Sequence, residues 1–158
     1  MNRRFCIDTS VFINGWNKRY RKDVFPTLWE KLDAMLTIGS AFSCHEVYLE
    51  LTHQADELAA WAKERRLCFE DPSENTILTF KEIIHHYPNF AAVGGAGNDA
   101  DPWVIAHAKL AGAVVVTDEQ PAPTQRPTKP PKIPDVCEAL EIKWMPPIDF
   151  FAANNWSM

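Results

Sequence analysis

The sequence contains little glycine, no paired cysteine motif, no long apolar run and no excess of positive charge. Each of these shortages removes a class of protein. Its six glycines do not form a Walker loop or a dinucleotide fingerprint: the one cluster, Gly94-Gly95-Ala96-Gly97, lacks the required Lys-Ser/Thr or third glycine. The four cysteines, Cys6, Cys44, Cys68 and Cys137, are far apart and none belongs to a CxxC pair, so they read as packing thiols in a reducing compartment rather than as a disulfide or zinc framework. The longest apolar run, Ala111 to Val116, is interrupted by Gly112 and is too short to cross a bilayer. No apolar stretch follows Arg3 and Arg4, because Asp8 and Asn14 interrupt it, so a cytoplasmic protein is expected, with no membrane contact. A net charge of −5 rules out a surface coated for nucleic acid but leaves room for local basic groups, Lys18, Arg19, Arg21 and Lys22 in one and Lys63, Arg65 and Arg66 in another. Either group reads more readily as a solvated helix end.

What is present is a 158-residue chain, 46% hydrophobic and 23% charged, the size and composition of one globular domain spanning 1–158. Phe5, Cys6 and Ile7 read as the end of a buried strand. Ser10 stands where it would cap the apolar-periodic segment Val11, Phe12 and Trp16. Asp8 therefore falls where a strand stops and a helix begins, the place where open parallel sheets bind ligands. A supporting role in that cap is the simpler reading of the same residue. Helical spacing continues over Val24 to Ile38 and ends at Gly39, and Ala41 to Cys44 reads as a second strand leading into a helix over His45 to Leu51. On that helix Glu46 and Glu50 share a face, which is mildly repulsive unless a cation lies nearby. Leu58 to Arg65 reads as helix, Leu67 to Phe69 as a third strand, and Glu74 to His86 as a helix capped by Ser73. His45, His53, His85, His86 and His107 have no partner at ligand spacing and read as structural or surface residues.

Farther on, Pro102 suits the first position of a helix, which puts Asp101 at its N-cap with Asp99 just before it. Gly112 ends the helix, and Ala113 to Thr117 is a β-branched run typical of a strand buried on both faces, followed at once by Asp118 and Glu119. Gln120 to Pro134 holds six prolines in fifteen residues and reads as a long surface loop. A short helix over Asp135 to Leu140, a last strand over Ile142 to Trp144 and a turn at Ile148 to Phe151 complete an α/β order with crossovers long enough for a parallel sheet. Acidic residues thus gather after strand one, after strand two, before the late helix and after the strand that follows it. If the strand ends converge, four carboxylates in one cleft repel each other unless divalent cations neutralise them, and hard oxygen ligands suit Mg²⁺ or Mn²⁺.

The stretches Cys6-Ile7-Asp8-Thr9-Ser10-Val11-Phe12-Ile13, Glu50-Leu51, Asp101 with Ile105-Ala106 and Ala108, and Val115-Val116-Thr117-Asp118-Glu119 resemble, in order, the four acidic motifs of PIN-domain nucleases, and within them bacterial toxins of the VapC-like type. The resemblance covers nearly the whole chain. It implies a three-layer α/β/α PIN-like fold with a central parallel sheet of order 3-2-1-4-5. It implies Mg²⁺- or Mn²⁺-dependent hydrolysis of RNA, control by a small antitoxin protein, and room for a homodimer. Carried over by position, Asp8, Glu50, Asp101 and Glu119 match the catalytic, metal-binding acids. Thr9 or Ser10 would orient Asp8 or a water, and Glu46, Asp99, Thr117 and Asp118 are secondary candidates close by. Lys18, Arg19, Arg21 and Lys22, with Arg126, Lys129 or Lys132, are candidates for RNA phosphates. Phe12, Trp16, Phe25 and Trp29 exceed the core needs of one small helix pair; they are either an antitoxin-docking face or simply buried. Two other readings remain: a catalytically inactive PIN-like module that binds RNA or protein, and a phosphatase-like hydrolase with Asp8 as nucleophile, which would want a second aspartate where Ser10 stands.

Overall fold

The computed structural model describes residues 3–90, 99–122 and 130–157. Its frame is a five-stranded parallel sheet of order β3-β2-β1-β4-β5, in which β1 is Phe5–Ile7, β2 Ala41–Cys44, β3 Phe69–Glu70, β4 Val114–Val116 and β5 Trp144–Met145. Order and direction are those of a PIN-like α/β/α fold. Both faces of the central strands are covered, which their apolar runs require: every residue of β1, β2 and β4 is buried.

Eight α-helices connect and cover the strands among the described residues: α1 Thr9–Asn14, α2 Pro26–Ile38, α3 His45–Leu51, α4 Glu57–Glu64, α5 Glu74–His86, α6 Asp101–Ala111, α7 Ile133–Ala139 and α8 Pro147–Ala153. Several bounds follow from local chemistry. Helix α2 stops at Gly39, whose φ of 83° is a left-handed cap, and α6 stops the same way at Gly112, φ 62°. Helix α5 starts at Ser73, which exchanges bonds with Thr76 in a capping box. No helix of the described residues is long and apolar enough to cross a membrane.

Some elements differ from what periodicity predicts. The apolar-periodic segment from Val11 to Trp16 is divided: α1 ends at Asn14, and Gly15–Arg19 wind as a π-helix. The third strand begins later, because Arg66–Cys68 form a 3₁₀ turn and only Phe69 and Glu70 pair with β2. Helix α7 begins two residues early, at Ile133, and Pro134 fits its first turn, where an amide donor would have no partner. β5 is shifted to Trp144–Met145, and the expected final turn is the helix α8, again opened by a proline. Gly94 to Gly97, together with Arg126 and Lys129, lie outside the described residues.

Phe12 and Trp29 are buried, with 0% and 3% of their surface exposed. Trp16 is half-buried and packs edge-on to Trp29, with ring centroids 5.0 Å apart, and against Trp61 at 6.0 Å. These aromatics form a wall of the core, so of the two readings of their number, docking face or burial, the structure favours burial. Phe25 alone of the four is exposed, to 36%.

Candidate functional site

Register builds the site. Ile7 of β1 lies beside Val116 of β4, and the Asp8 amide donates to the Val116 carbonyl at 2.9 Å, so the residues that leave the two strands, Asp8 and Thr117, emerge side by side. Asp8 occupies the N-cap position of α1 in extended backbone, yet its carboxylate makes no capping bond. Instead it accepts, on Oδ2, the hydroxyl hydrogens of Ser10 at 2.7 Å and Thr117 at 2.9 Å. Ser10 is therefore not the cap. It is the second residue of α1, and its Oγ also accepts the Asp118 amide at 3.0 Å, tying the end of β1 to the end of β4.

Glu50 is delivered from the neighbouring strand. Cys44 ends β2, α3 follows without a gap, and Glu50 lies on its second turn, where Oε1 accepts from Thr9 Oγ1 at 2.6 Å. Asp101 is the first residue of α6, with Ala100 rather than Asp101 at the cap position and Pro102 next, and it is buried, 7% exposed. Glu119 is anchored by its own amide, which donates to Thr117 Oγ1 at 3.1 Å.

The four acids lie close enough together for their charges to act on one another. Burial, and then the charges of Asp8, Glu119 and Glu50 in that order, push the Asp101 carboxyl far above the carboxylate range. Burial and the neighbouring charges of Asp8 and Asp99 raise Glu50 to about 7, against the Thr9 bond that lowers it. Burial and Asp8 likewise raise Glu119 to about 7, partly offset by Lys132. Asp8 is raised by its burial although the Ser10 and Thr117 hydroxyls oppose the shift. Such a group of acids is destabilising in isolation. Two of its oxygens, Asp8 Oδ1 and Glu50 Oε2, are moreover buried with no hydrogen-bond partner among the described residues, whereas the other oxygen of each of these two carboxylates is engaged by hydroxyls. A donor set of carboxylate oxygens, two of them orphaned, fits a hard divalent cation such as Mg²⁺ or Mn²⁺.

The secondary candidates separate. Thr9, Ser10 and Thr117 are the hydroxyls that hold Asp8 and Glu50. Asp99 is exposed beside Glu50. Asp118 is engaged elsewhere: Oδ2 accepts from Asn14 Nδ2 at 2.7 Å and pairs with Arg19 at 3.3 Å, an anchor that sequence spacing did not reveal. Glu46 turns to a different neighbourhood, with His45, Cys44 and Asp71 around it. Of the basic candidates, Arg19 is held by Asp118 and Arg21 by Asp23 at 2.6 Å, while Lys22 lies over the Trp16 ring at 5.7 Å. Lys18 makes no ion pair among the described residues. In the second basic group Arg65 bonds Asp33 at 2.6 Å and Arg66 bonds Asp71 at 2.8 Å, so both serve the fold. Lys132 was expected only at a phosphate, yet it lies close enough to Asp101 and Glu119 to favour their charged forms. Asp135 accepts amides from both flanks of the proline-rich stretch, Ala122 at 3.0 Å and Lys132 at 2.8 Å.

The chain's fold has solved counterparts. It is similar to VapBC2 from Rickettsia felis, which is bound to a DNA fragment from their promoter, with a TM-score of 0.54, 13% identity, and 90% of this chain and 97% of that one covered. It is also similar to DNA-bound VapBC from Salmonella typhimurium, with a TM-score of 0.52, 15% identity, and 91% and 98% covered. At these identities the likeness is one of fold, the PIN-like fold of VapC. No curated protein matches the sequence. Residues 5–158 match the model of a family described only as a domain of unknown function (DUF4411), and to that family the chain belongs.

Proposed function

We propose that this chain is a divalent-metal-dependent endoribonuclease of the PIN type, with Asp8, Glu50, Asp101 and Glu119 as its acids. The observation that carries the reading is the pair of buried oxygens, Asp8 Oδ1 and Glu50 Oε2, that have no hydrogen-bond partner among the described residues and lie within a set of mutually repelling carboxylates. Burial without a counter-charge is costly, and a fold that keeps it is maintaining a site. Mg²⁺ or Mn²⁺ held by these acids would supply charge stabilisation at a phosphodiester and lower the pKa of a water. The chain's own contribution is positional. Ser10 and Thr117 fix one Asp8 oxygen and so aim the other, Thr9 does the same for Glu50, and the Thr117 hydroxyl also orients the Glu119 amide. RNA as the substrate comes from the family resemblance. Lys18 and Lys22, whose ammonium groups are not bonded to carboxylates of the described residues, are the candidates for its phosphates.

The role of toxin in a toxin–antitoxin pair rests on the same resemblance and on neighbours of the VapBC type. A small partner that places a cation among the carboxylates would relieve the repulsion a metal relieves, which is a physical route to inhibition. The aromatic residues of the early helices do not supply its docking face, as most of that surface is buried.

Purified chain should cut single-stranded RNA with Mg²⁺ or Mn²⁺, stop in EDTA, and lose the activity in Asp8→Asn. Binding of RNA without cleavage by the wild type, unchanged in Asp8→Asn, would establish the inactive binding module instead.

A further inference from the structure

A second convergence of side chains involves none of the four acids. Cys44, the last residue of β2, Glu46, in the first turn of α3, and His107, well inside α6, bring a sulfur, a carboxylate oxygen and a ring nitrogen all within 4.8 Å of one another. Cys44 is fully buried and His107 is only 5% exposed. His107 Nε2 and Glu46 Oε2 are both buried and neither has a hydrogen-bond partner among the described residues. A histidine in a helix core ordinarily satisfies its ring nitrogens with a carbonyl, a hydroxyl or water. Here a buried ring nitrogen is left over beside a buried carboxylate oxygen that is also left over, and a thiol completes the group.

We propose that Cys44, Glu46 and His107 form a binding site for a borderline transition-metal ion of the Zn²⁺ type, distinct from the all-oxygen cleft. Thiolate, imidazole and carboxylate together match Zn²⁺ and do not match Mg²⁺. Tetrahedral coordination at about 2.0 to 2.3 Å places ligand atoms about 3.5 Å apart, so atoms now within 4.8 Å of one another need to close by about 1.3 Å at most. Glu46, the least buried of the three, has the side-chain freedom to make that adjustment. Three protein ligands leave a fourth position for water. An open depression lined by Glu70, Asp71, Ser73, Thr76 and Leu110 reaches His107 and gives the ion its entry. On binding, the Cys44 thiol loses its proton to solvent and the sulfur donates its lone pair to the metal, with no change of oxidation state. The ion would pin β2 and α3 to α6, the two helices that also carry Glu50 and Asp101.

Co²⁺ titration of the full chain tests the site, because a cobalt–thiolate bond produces a near-ultraviolet charge-transfer band. The expected result is one equivalent of Co²⁺ with that band, displaced by Zn²⁺ and retained in an Asp8→Asn/Asp101→Asn variant. His107→Gln and Cys44→Ser should each remove the band or weaken binding at least tenfold. Melting in EDTA shows whether each variant is folded; if Cys44→Ser is not, His107→Gln and Glu46→Gln decide. A wild type without the band, a band unchanged by His107→Gln, or one lost with the two aspartates would overturn the proposal.

Discussion

Helices α3 and α6 each serve two clusters. Glu50 and Asp101 belong to the cleft at the ends of β1 and β4, whereas Glu46, one turn before Glu50, and His107, farther along α6, meet Cys44. The first cluster is all oxygen, and hydroxyls fill one oxygen of Asp8 and one of Glu50 while leaving the other of each bare among the described residues. The second mixes sulfur, nitrogen and oxygen and has no hydroxyl in support among the described residues. One helix pair can thus present hard and softer ligand sets from neighbouring turns, because 3.6 residues per turn keeps positions four apart near each other without making them face one ligand. Spacing alone made Glu46 and Glu50 equivalent. Their surroundings make them different.

The largest expected effect separates the two clusters by activity. Asp8→Asn and Asp101→Asn should each lower metal-dependent RNA cleavage at least about 100-fold, the upper range seen when metal sites lose a ligand's support. A residual rate within tenfold of wild type, measured on a labelled single-stranded RNA, would remove that residue from the site.

Next comes stability. Glu50, Glu119 and Asp101 have folded pKa values raised above those of the unfolded chain. The folded state therefore holds more protons than the unfolded state across the interval between the two, and stability must fall as pH rises through it. For Glu50 and Glu119 that interval runs from the ordinary glutamate value to about 7. The metal-free melting temperature should accordingly drop between about pH 5 and pH 8, and Mn²⁺ should restore it mainly at the upper end. Asp101→Asn should raise the metal-free melting point at about pH 8 by several degrees, at about 2 to 4 °C per kcal/mol for a chain of this size. A flat profile by calorimetry would show that the acids do not repel as placed.

Removing the hydroxyl props is the third and smaller change. Thr117→Val and Ser10→Ala free Asp8 Oδ2 without deleting the acid, and each should cost about tenfold in cleavage, with weaker apparent affinity for Mn²⁺. Equal losses from an Asp118→Asn variant would show that the anchor to Asn14 and Arg19, rather than Asp8 itself, controls the rate.

The smallest effect distinguishes free from engaged cations. Lys18→Ala should weaken RNA binding a few-fold and reduce the salt slope by about one counterion, while Arg21→Ala, whose guanidinium already bonds Asp23, should change the slope little. Fluorescence titrations at several salt concentrations read both.

Much of this was legible in the sequence wherever a local rule decided the outcome. Ser73 as a cap, Gly39 and Gly112 as stops, and the buried run before Thr117 placed α5, α2, α6 and β4, and the acidic motifs in order implied the strand order that the sheet adopts. Hydrophobic periodicity could not distinguish an α-helix from the π-helical turn at Gly15–Arg19, since a stretch of little more than one turn is too short to show a change of period. Proline was read as a breaker as far as Pro134, where in a first turn it is compatible with helix. That Ser10 braces Asp8 instead of capping α1 depends on β1 and β4 lying in register, which is a tertiary fact. The meeting of His107 with Cys44 and Glu46 likewise has no local signal, because the three come from a strand and two helices that only the packed sheet brings together.

Anomalous scattering from crystals grown with Mn²⁺ tests the central claim most directly. A peak in contact with Asp8 Oδ1, Glu50 Oε2 and Asp101 is the predicted result, with oxygen distances near the roughly 2.0 to 2.6 Å range of hard divalent ions. Strong Mn²⁺ peaks elsewhere and none among these carboxylates would contradict it.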